Sequence, residues 1–235
     1  MCGRFTLTAD TFAILDMFGL SSIFELKASY NIAPTQAIAS VRVSAEGERE
    51  AVPMRWGLIP FWAKDKKIGA RMINARGESL ADKPSFRTAY KRRRCLIPAD
   101  GWYEWQKPAE GSSKKTPKQP YHIRRPQSEV VAFAGLWEQW TDKDNGELVE
   151  SCTIITTEAC EALAHIHHRM PVVLEPEFWP PWLDPSLRDT SSLQPLLRPT
   201  DDDYFVAVPV STHVNSVRNN DPTCVERVPQ AQTLF

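Results

Sequence analysis

The chain has 235 residues, 42% of them hydrophobic, and a formal charge of −1, so it can build one large or two small cored domains; the net charge alone gives no reason to expect nucleic acid. No window approaches the roughly 20 apolar residues of a membrane helix, and MCGRFTLTAD lacks the apolar run of a secretory signal, so no membrane partner is expected. Five scattered cysteines, odd in number and without Cys-x-x-Cys, argue against a disulfide framework and for a reducing compartment, cytosolic or nuclear.

In chain order, Asp10 to Phe18 reads as a helix capped by Asp10 and stopped by Gly19, with Phe12, Leu15 and Phe18 on one stripe. Ile38 to Met54 shortens to strand-like stretches around a polar turn at Ala45–Glu50. Arg94 to Trp105 reads as a hairpin, because Asp100-Gly101 separates two apolar runs. Gln106 to Pro120, rich in Lys, Pro, Gly and Ser, is expected to be an exposed loop. Strands are expected at Tyr121–Arg124, Val130–Trp137 and Ser151–Thr156, then a short helix from a Thr157 cap to about Ile166. Late strands follow at Pro171–Leu174 and Tyr204–Val210. Strands that cluster rather than alternate with helices predict an α+β fold: one domain over 1–235 with a mainly antiparallel, barrel-like core, short flanking helices, and a flexible tail from about 226.

The charge is unevenly placed. Lys64 to Arg94 holds eleven Lys or Arg against three acids, the pattern of a face that meets phosphates, although a solvated face is the commoner outcome for a charge run. Interleaved Trp56, Phe61, Trp62, Phe86 and Tyr90 could stack on unpaired bases.

Four segments could carry chemistry. Removal of Met1 would leave Cys2 as a 1,2-aminothiol, whose amine titrates near pH 8 and can attack an aldehyde, after which the thiol closes a five-membered ring. From position alone, packing as a small buried hydrophobe is the commoner fate of such a cysteine. Asn74 and Arg76 lie in Asn-Ala-Arg-Gly-Glu, where an amide could hold a hydroxyl and a guanidinium a phosphate; a simple turn is the alternative. Glu104, among the aromatics of Gly-Trp-Tyr-Glu-Trp, could have a raised pKa and move protons, or could simply face solvent. His165-Ile166-His167-His168 could supply one catalytic imidazole. A zinc site there lacks a second ligand pair at the usual spacing, so neither metal nor cofactor is expected.

Taken together and in order, MCGRF (1–5), NIAP (31–34), WGLIPFW (56–62), NARGES (74–79), IPADGWYEW (97–105), IHHRMP (166–171) and a late PVS…VN…N between 209 and 219 resemble the SOS-response-associated peptidase (SRAP) family of abasic-site-processing proteins over nearly the whole chain. The resemblance implies an abasic-site sensor in single-stranded DNA. Cys2 would form a thiazolidine crosslink with the ring-opened sugar, reversed slowly, with β-elimination giving lyase activity. It further implies that Asn74 orients the amine and sugar, that Glu104 is the general acid and base, and that His167, two before Arg169, assists sugar opening. Arg4, Arg76 and Arg169 are implied as phosphate contacts, Trp62 as a stacking wedge and Thr156 as a polar contact. The competing functions are a self-processing cysteine peptidase using Cys2, and a non-catalytic single-strand binding module. A monomer is expected, cytoplasmic and nucleoid-associated, or nuclear in a eukaryote. Gln232-Thr233-Leu234-Phe235 faintly resembles a sliding-clamp-binding peptide, but its usual leading glutamine falls on Ala231, which favours a frayed terminus.

Overall fold

The computed structural model describes residues 2–111, 113 and 116–228. The clamp-like peptide at 232–235 and the residue whose removal would expose Cys2, Met1, lie outside the described residues, as does most of the tail from 226.

The chain opens with β1 (Phe5–Leu7) and α1 (Thr11–Phe18). The Asp10 carboxylate accepts from the Ala13 N–H at 2.9 Å and Gly19 ends the helix in the left-handed region at φ 62°, so both sequence signals act as caps. The buried stripe, however, is Ile14 and Phe18; Phe12 is 81% exposed. Phe18 stacks on Trp179 at 4.7 Å, and an i, i+4 pair suffices to seat a two-turn helix.

Next come β2 (Ser29–Ile32), β3 (Ala37–Val43), β4 (Arg49–Trp56), β5 (Asn74–Arg76), α2 (Arg87–Arg92), β6 (Arg94–Ala99), β7 (Gly101–Gln106), β8 (Gln119–Arg124), β9 (Val131–Thr141) and β10 (Leu148–Glu158). The chain ends with α3 (Glu161–Ala164), β11 (Arg169–Pro171), α4 (Trp179–Leu183) and β12 (Val206–Pro209). Strands β10, β4, β3, β6 and β9 pair in that order, and β9 pairs back to β10, which closes a five-stranded barrel. Closure leaves no edge among those five. β5 and β11 add to β10 outside the ring. A second sheet runs β12-β8-β7-β1-β2, all antiparallel. The α+β, mainly antiparallel, barrel-like expectation holds.

Two sequence expectations are corrected. Asp100-Gly101 does not turn a hairpin: β6 belongs to the barrel and β7 to the second sheet, so this dipeptide carries the chain from one to the other. Asp100 is buried there, and its carboxylate accepts from the Thr6 and Thr8 hydroxyls and from the Thr8 and Ala9 N–H groups. The true hairpin is β7–β8, joined by the loop expected around 106–120. Thr157 lies inside β10 rather than capping a helix; α3 begins at Glu161 with Cys160 as its cap residue.

Of the aromatics interleaved with the cations, Trp56 and Tyr90 are buried and Phe86 is half-buried; Phe61 and Trp62 face solvent. Nine of the eleven cations are exposed, but Arg94 is buried and donates to the carbonyls of Tyr90, Trp182, Asp184 and Leu187. No described helix is long and apolar enough to cross a membrane.

The barrel and the second sheet share one core. Phe5 meets Trp56 edge-on at 5.2 Å and Phe133 at 6.2 Å, while Trp102 meets Phe133 at 6.0 Å and Phe205 at 4.8 Å. Burying a side chain such as Phe5 contributes about 1.5–3 kcal/mol. That anchor lies three residues from Cys2.

Candidate functional site

β1 fixes the segment that precedes it. Phe5 faces Trp102 and Thr6 faces Gly101, and the Tyr103 N–H donates to the Arg4 carbonyl at 2.9 Å. The same antiparallel course leads back to Cys2, which is fully buried and within electrostatic reach of Glu104 on β7. From the barrel side, Asn74 opens β5, held in parallel register against Ile154 of β10, and its Nδ2 donates to the Cys2 carbonyl at 2.7 Å. The site therefore sits at the seam between the two sheets, with Cys2 and Glu104 from one and Asn74 from the other.

Burial pushes the Cys2 thiol well above its ordinary range, and the negative charge of Glu104 adds to the shift, so the resting group is the protonated thiol. Its Sγ–H lies 3.9 Å from the Arg4 carbonyl. Glu104 is 3% exposed, and burial raises its carboxyl to about 7. The Asn74 Oδ1 is shielded from solvent and accepts no hydrogen bond from the described residues.

His167 lies between α3 and β11, half-buried. Its Nδ1 lies 3.0 Å from the Arg169 backbone nitrogen and 3.2 Å from the Arg169 carbonyl oxygen, so the Arg169 backbone fixes the ring, and burial pushes its pKa down to about 4. At neutral pH the seam thus holds a thiol, a carboxyl poised to gain or lose a proton, and a neutral imidazole. Lys118 and His167 line one cleft, and the charge of Lys118 is also felt by Glu104.

The remaining sequence candidates divide. Arg76 is exposed and shares the Asn74 face of β5, two residues on, while Ala75 between them is buried. Trp62 is exposed beside Lys64, Lys67 and Arg71. Arg4 is half-buried, its Nη1 donating to Asn31 Oδ1 at 2.8 Å and to the Val214 carbonyl at 2.9 Å. Thr156 is fully buried in β10 opposite Arg76, so its hydroxyl is not on the surface. Arg169 is 8% exposed, with both terminal nitrogens donating to Glu78 and one also to the Thr156 carbonyl at 2.6 Å.

Sequence reasoning gave no role to Asn31 or Lys118. Asn31 Nδ2 donates to the Val214, Ser216 and Asn219 carbonyls while its Oδ1 takes Arg4, stitching the 214–219 segment to β1; its signal was its place in the NIAP run. Lys118 carried no signal, being one lysine of a polar loop. The donor atoms of His213, Asp221 and Cys224 lie within 4.8 Å of one another, yet the His213 ring is bonded to Asp221 and to Asn219, so the group braces this same segment.

Comparison with known proteins gives a consistent picture. The chain is 44% identical over 229 residues to the abasic site processing protein YoqW of Bacillus subtilis (strain 168), covering 96% of this chain and 99% of that one. It is 34% identical to the abasic site processing protein HMCES of Pongo abelii, over 80% of this chain and 60% of that protein. A crystal structure of a Bacteroides thetaiotaomicron protein superposes with a TM-score of 0.84 at 30% identity, covering 97% of this chain and all of that one. The model of the family described as SOS response associated peptidase (SRAP) matches residues 1–217, a span that holds Cys2, Asn74, Glu104 and His167, and the chain belongs to the SRAP family.

Proposed function

We propose that this protein captures abasic sites in single-stranded DNA as a covalent thiazolidine on Cys2, once Met1 has been removed. The observation that carries the reading is the Asn74 hydrogen bond to the Cys2 carbonyl, with Glu104 buried beside the thiol and raised to about 7. Relatives named for abasic site processing support it.

The chemistry balances without a cofactor. The Cys2 amine adds to the sugar aldehyde, and loss of one water gives a Schiff base. The thiol then adds across the C=N bond: an S–C bond forms, and the thiol proton passes to the nitrogen through Glu104. A carboxyl near 7 is suited both to accept that proton and to return one to the departing hydroxyl. His167, a neutral imidazole at neutral pH, would move a proton at the sugar oxygen as the ring opens. The shielded Asn74 Oδ1 remains to accept from the amine or a sugar hydroxyl. Proton return to sulfur reverses the ring, and β-elimination from the Schiff base would cleave the strand. Arg76 and Trp62 provide an exposed phosphate contact and a stacking surface, whereas Thr156 and Arg169 act by holding the strand that carries Arg76 and the segment between α3 and β11 that carries His167.

A peptidase using Cys2 would need a readily formed thiolate paired with a base. Burial, with the charge of Glu104 adding to it, holds this thiol protonated and so disfavours a thiolate nucleophile. The test is incubation of the Met1-processed protein with an oligonucleotide bearing one abasic site, read by denaturing electrophoresis and intact mass. A heat-stable adduct that needs Cys2 and is lost in Cys2→Ser and in the Met1-retained form is expected. No adduct with processing verified would sink the reading, and DNA-independent, Cys2-dependent peptide cleavage would establish the peptidase instead.

A further inference from the structure

A cleft of about 330 Å³ runs beside the seam, with Trp105, Lys107 and Lys118 on one side and His165, His167 and His168 on the other. Its walls are fixed. The Trp105 Nε1 donates to Asn215 Oδ1 at 2.8 Å, and the Arg4 guanidinium lies 6.0 Å from the indole centre. The Gln106 amide donates to the His165 carbonyl at 3.3 Å, tying the two sides together. The His167 and His168 rings stack at 4.5 Å. Lys107 and Lys118 leave the β7–β8 ladder just beyond the Gln106–Gln119 pair, so the hairpin sets two ammonium groups at one mouth. Among the described residues no carboxylate lines the cleft. Flat π surfaces with two cations and no acid suit a phosphate joined to an aromatic base.

We propose that this cleft is a nucleotide subsite, in which Lys107 and Lys118 grip the phosphate next to the abasic sugar while Trp105 and the histidine pair receive the adjoining base. This deepens the proposed function, on which it rests for the identity of the ligand as single-stranded DNA. Lys118 joins the two, since its charge reaches Glu104 and His167 as well as the cleft. The β7–β8 loop thereby acquires a role at its base.

The test uses equilibrium binding to a single-stranded oligonucleotide carrying a tetrahydrofuran at the abasic position, which has no aldehyde and so reports the cleft whether or not a crosslink forms. For Lys107→Ala/Lys118→Ala, the log–log salt slope should fall by about 0.7 for each phosphate the protein no longer neutralises, and affinity near 0.1 M salt by about fivefold for each. Lys107→Arg/Lys118→Arg should retain most of the binding. A methylphosphonate placed on one side of the tetrahydrofuran should weaken the wild-type protein and leave the double-alanine variant unchanged. An unchanged salt slope, or equal loss by both proteins for methylphosphonates on either side, would overturn the subsite. Failure of Cys2 to crosslink with this binding intact would count against the covalent reading alone.

Discussion

Arg169 and Glu78 form a two-pronged ion pair, Nη1 to Oε1 at 2.7 Å and Nη2 to Oε2 at 2.9 Å, that ties β11 to the turn following β5. Arg169 also gives its backbone N–H to His167. One residue therefore connects the strand bearing Asn74 and Arg76 to the imidazole. A lysine cannot reproduce the fork. Arg169→Lys should lower stability by about 1–3 kcal/mol, the range for hydrogen bonds to charged groups, with Glu78 half-exposed and placing the value toward the lower end. Urea unfolding measures this. Lysine keeps the backbone N–H that holds His167, so the crosslinking rate should fall further than stability alone requires only through a shift of β11 once the fork to Glu78 is lost; a rate equal to wild type would remove the Arg169 side chain from any positioning role.

Glu104 links stability to pH with a definite sign. Burial raises its folded-state pKa from 4.5 to about 7. Below 4.5 it is protonated in both states and costs nothing. Between 4.5 and 7 the unfolded chain releases the proton and the folded one keeps it, so stability falls as pH rises, by up to about 3 kcal/mol. Glu104→Gln should thus be more stable than wild type at pH 8, with the gap closing by pH 4.5. Its crosslink formation or reversal should be slow while DNA affinity stays near wild type. Collapse of DNA binding in this variant would instead make Glu104 structural.

Trp62 is the converse case, a large aromatic side chain 48% exposed. Trp62→Ala should leave stability within about 0.5 kcal/mol of wild type, as surface changes do. If a base stacks there, binding to single-stranded DNA should weaken by about 1–3 kcal/mol. Fluorescence anisotropy beside a thermal melt separates the two. Trp56, fully buried against Phe5, should show the opposite pattern.

What was legible in the sequence follows the range of the forces involved. The caps of α1 are local hydrogen bonds and backbone angles, so Asp10 and Gly19 declared them. The exposure of Phe12 depended on which helix face met Trp179, 161 residues beyond Phe18, and no local rule contains that. Asp100-Gly101 correctly marked a break between strands, but whether two strands pair is settled by their other neighbours. Here the barrel claimed β6 and the second sheet claimed β7. Cys2, Asn74, Glu104 and His167 were selected by ordered motifs, while their environments were not: the buried state of Glu104 and the ion-paired state of Arg169 belong to the assembled seam. Lys118 escaped because its meaning comes only from the β7–β8 register.

Gly101 and His122 test that register directly. A Cβ on Gly101 would lie 2.3 Å from His122 Nε2 and 2.9 Å from the Ile123 carbonyl, so β8 can lie against β7 only where β7 has no side chain. His122 is 5% exposed, and its Nε2 lies 3.1 Å from the Thr6 hydroxyl, which also donates to Asp100. Burial holds its pKa down at about 4. The unfolded chain binds a proton below about 6.5 and the folded one does not until about 4, so this imidazole costs stability as pH falls through that window. Gly101→Ala should destabilise by about 1–3 kcal/mol or more, the usual cost of overpacking. His122→Asn should flatten the acid limb of the stability profile. Adding His122→Asn to Gly101→Ala should restore only part of the loss, since the Ile123 carbonyl still crowds the new methyl. Full restoration would show that the ring alone set the close approach, and no restoration that the backbone did.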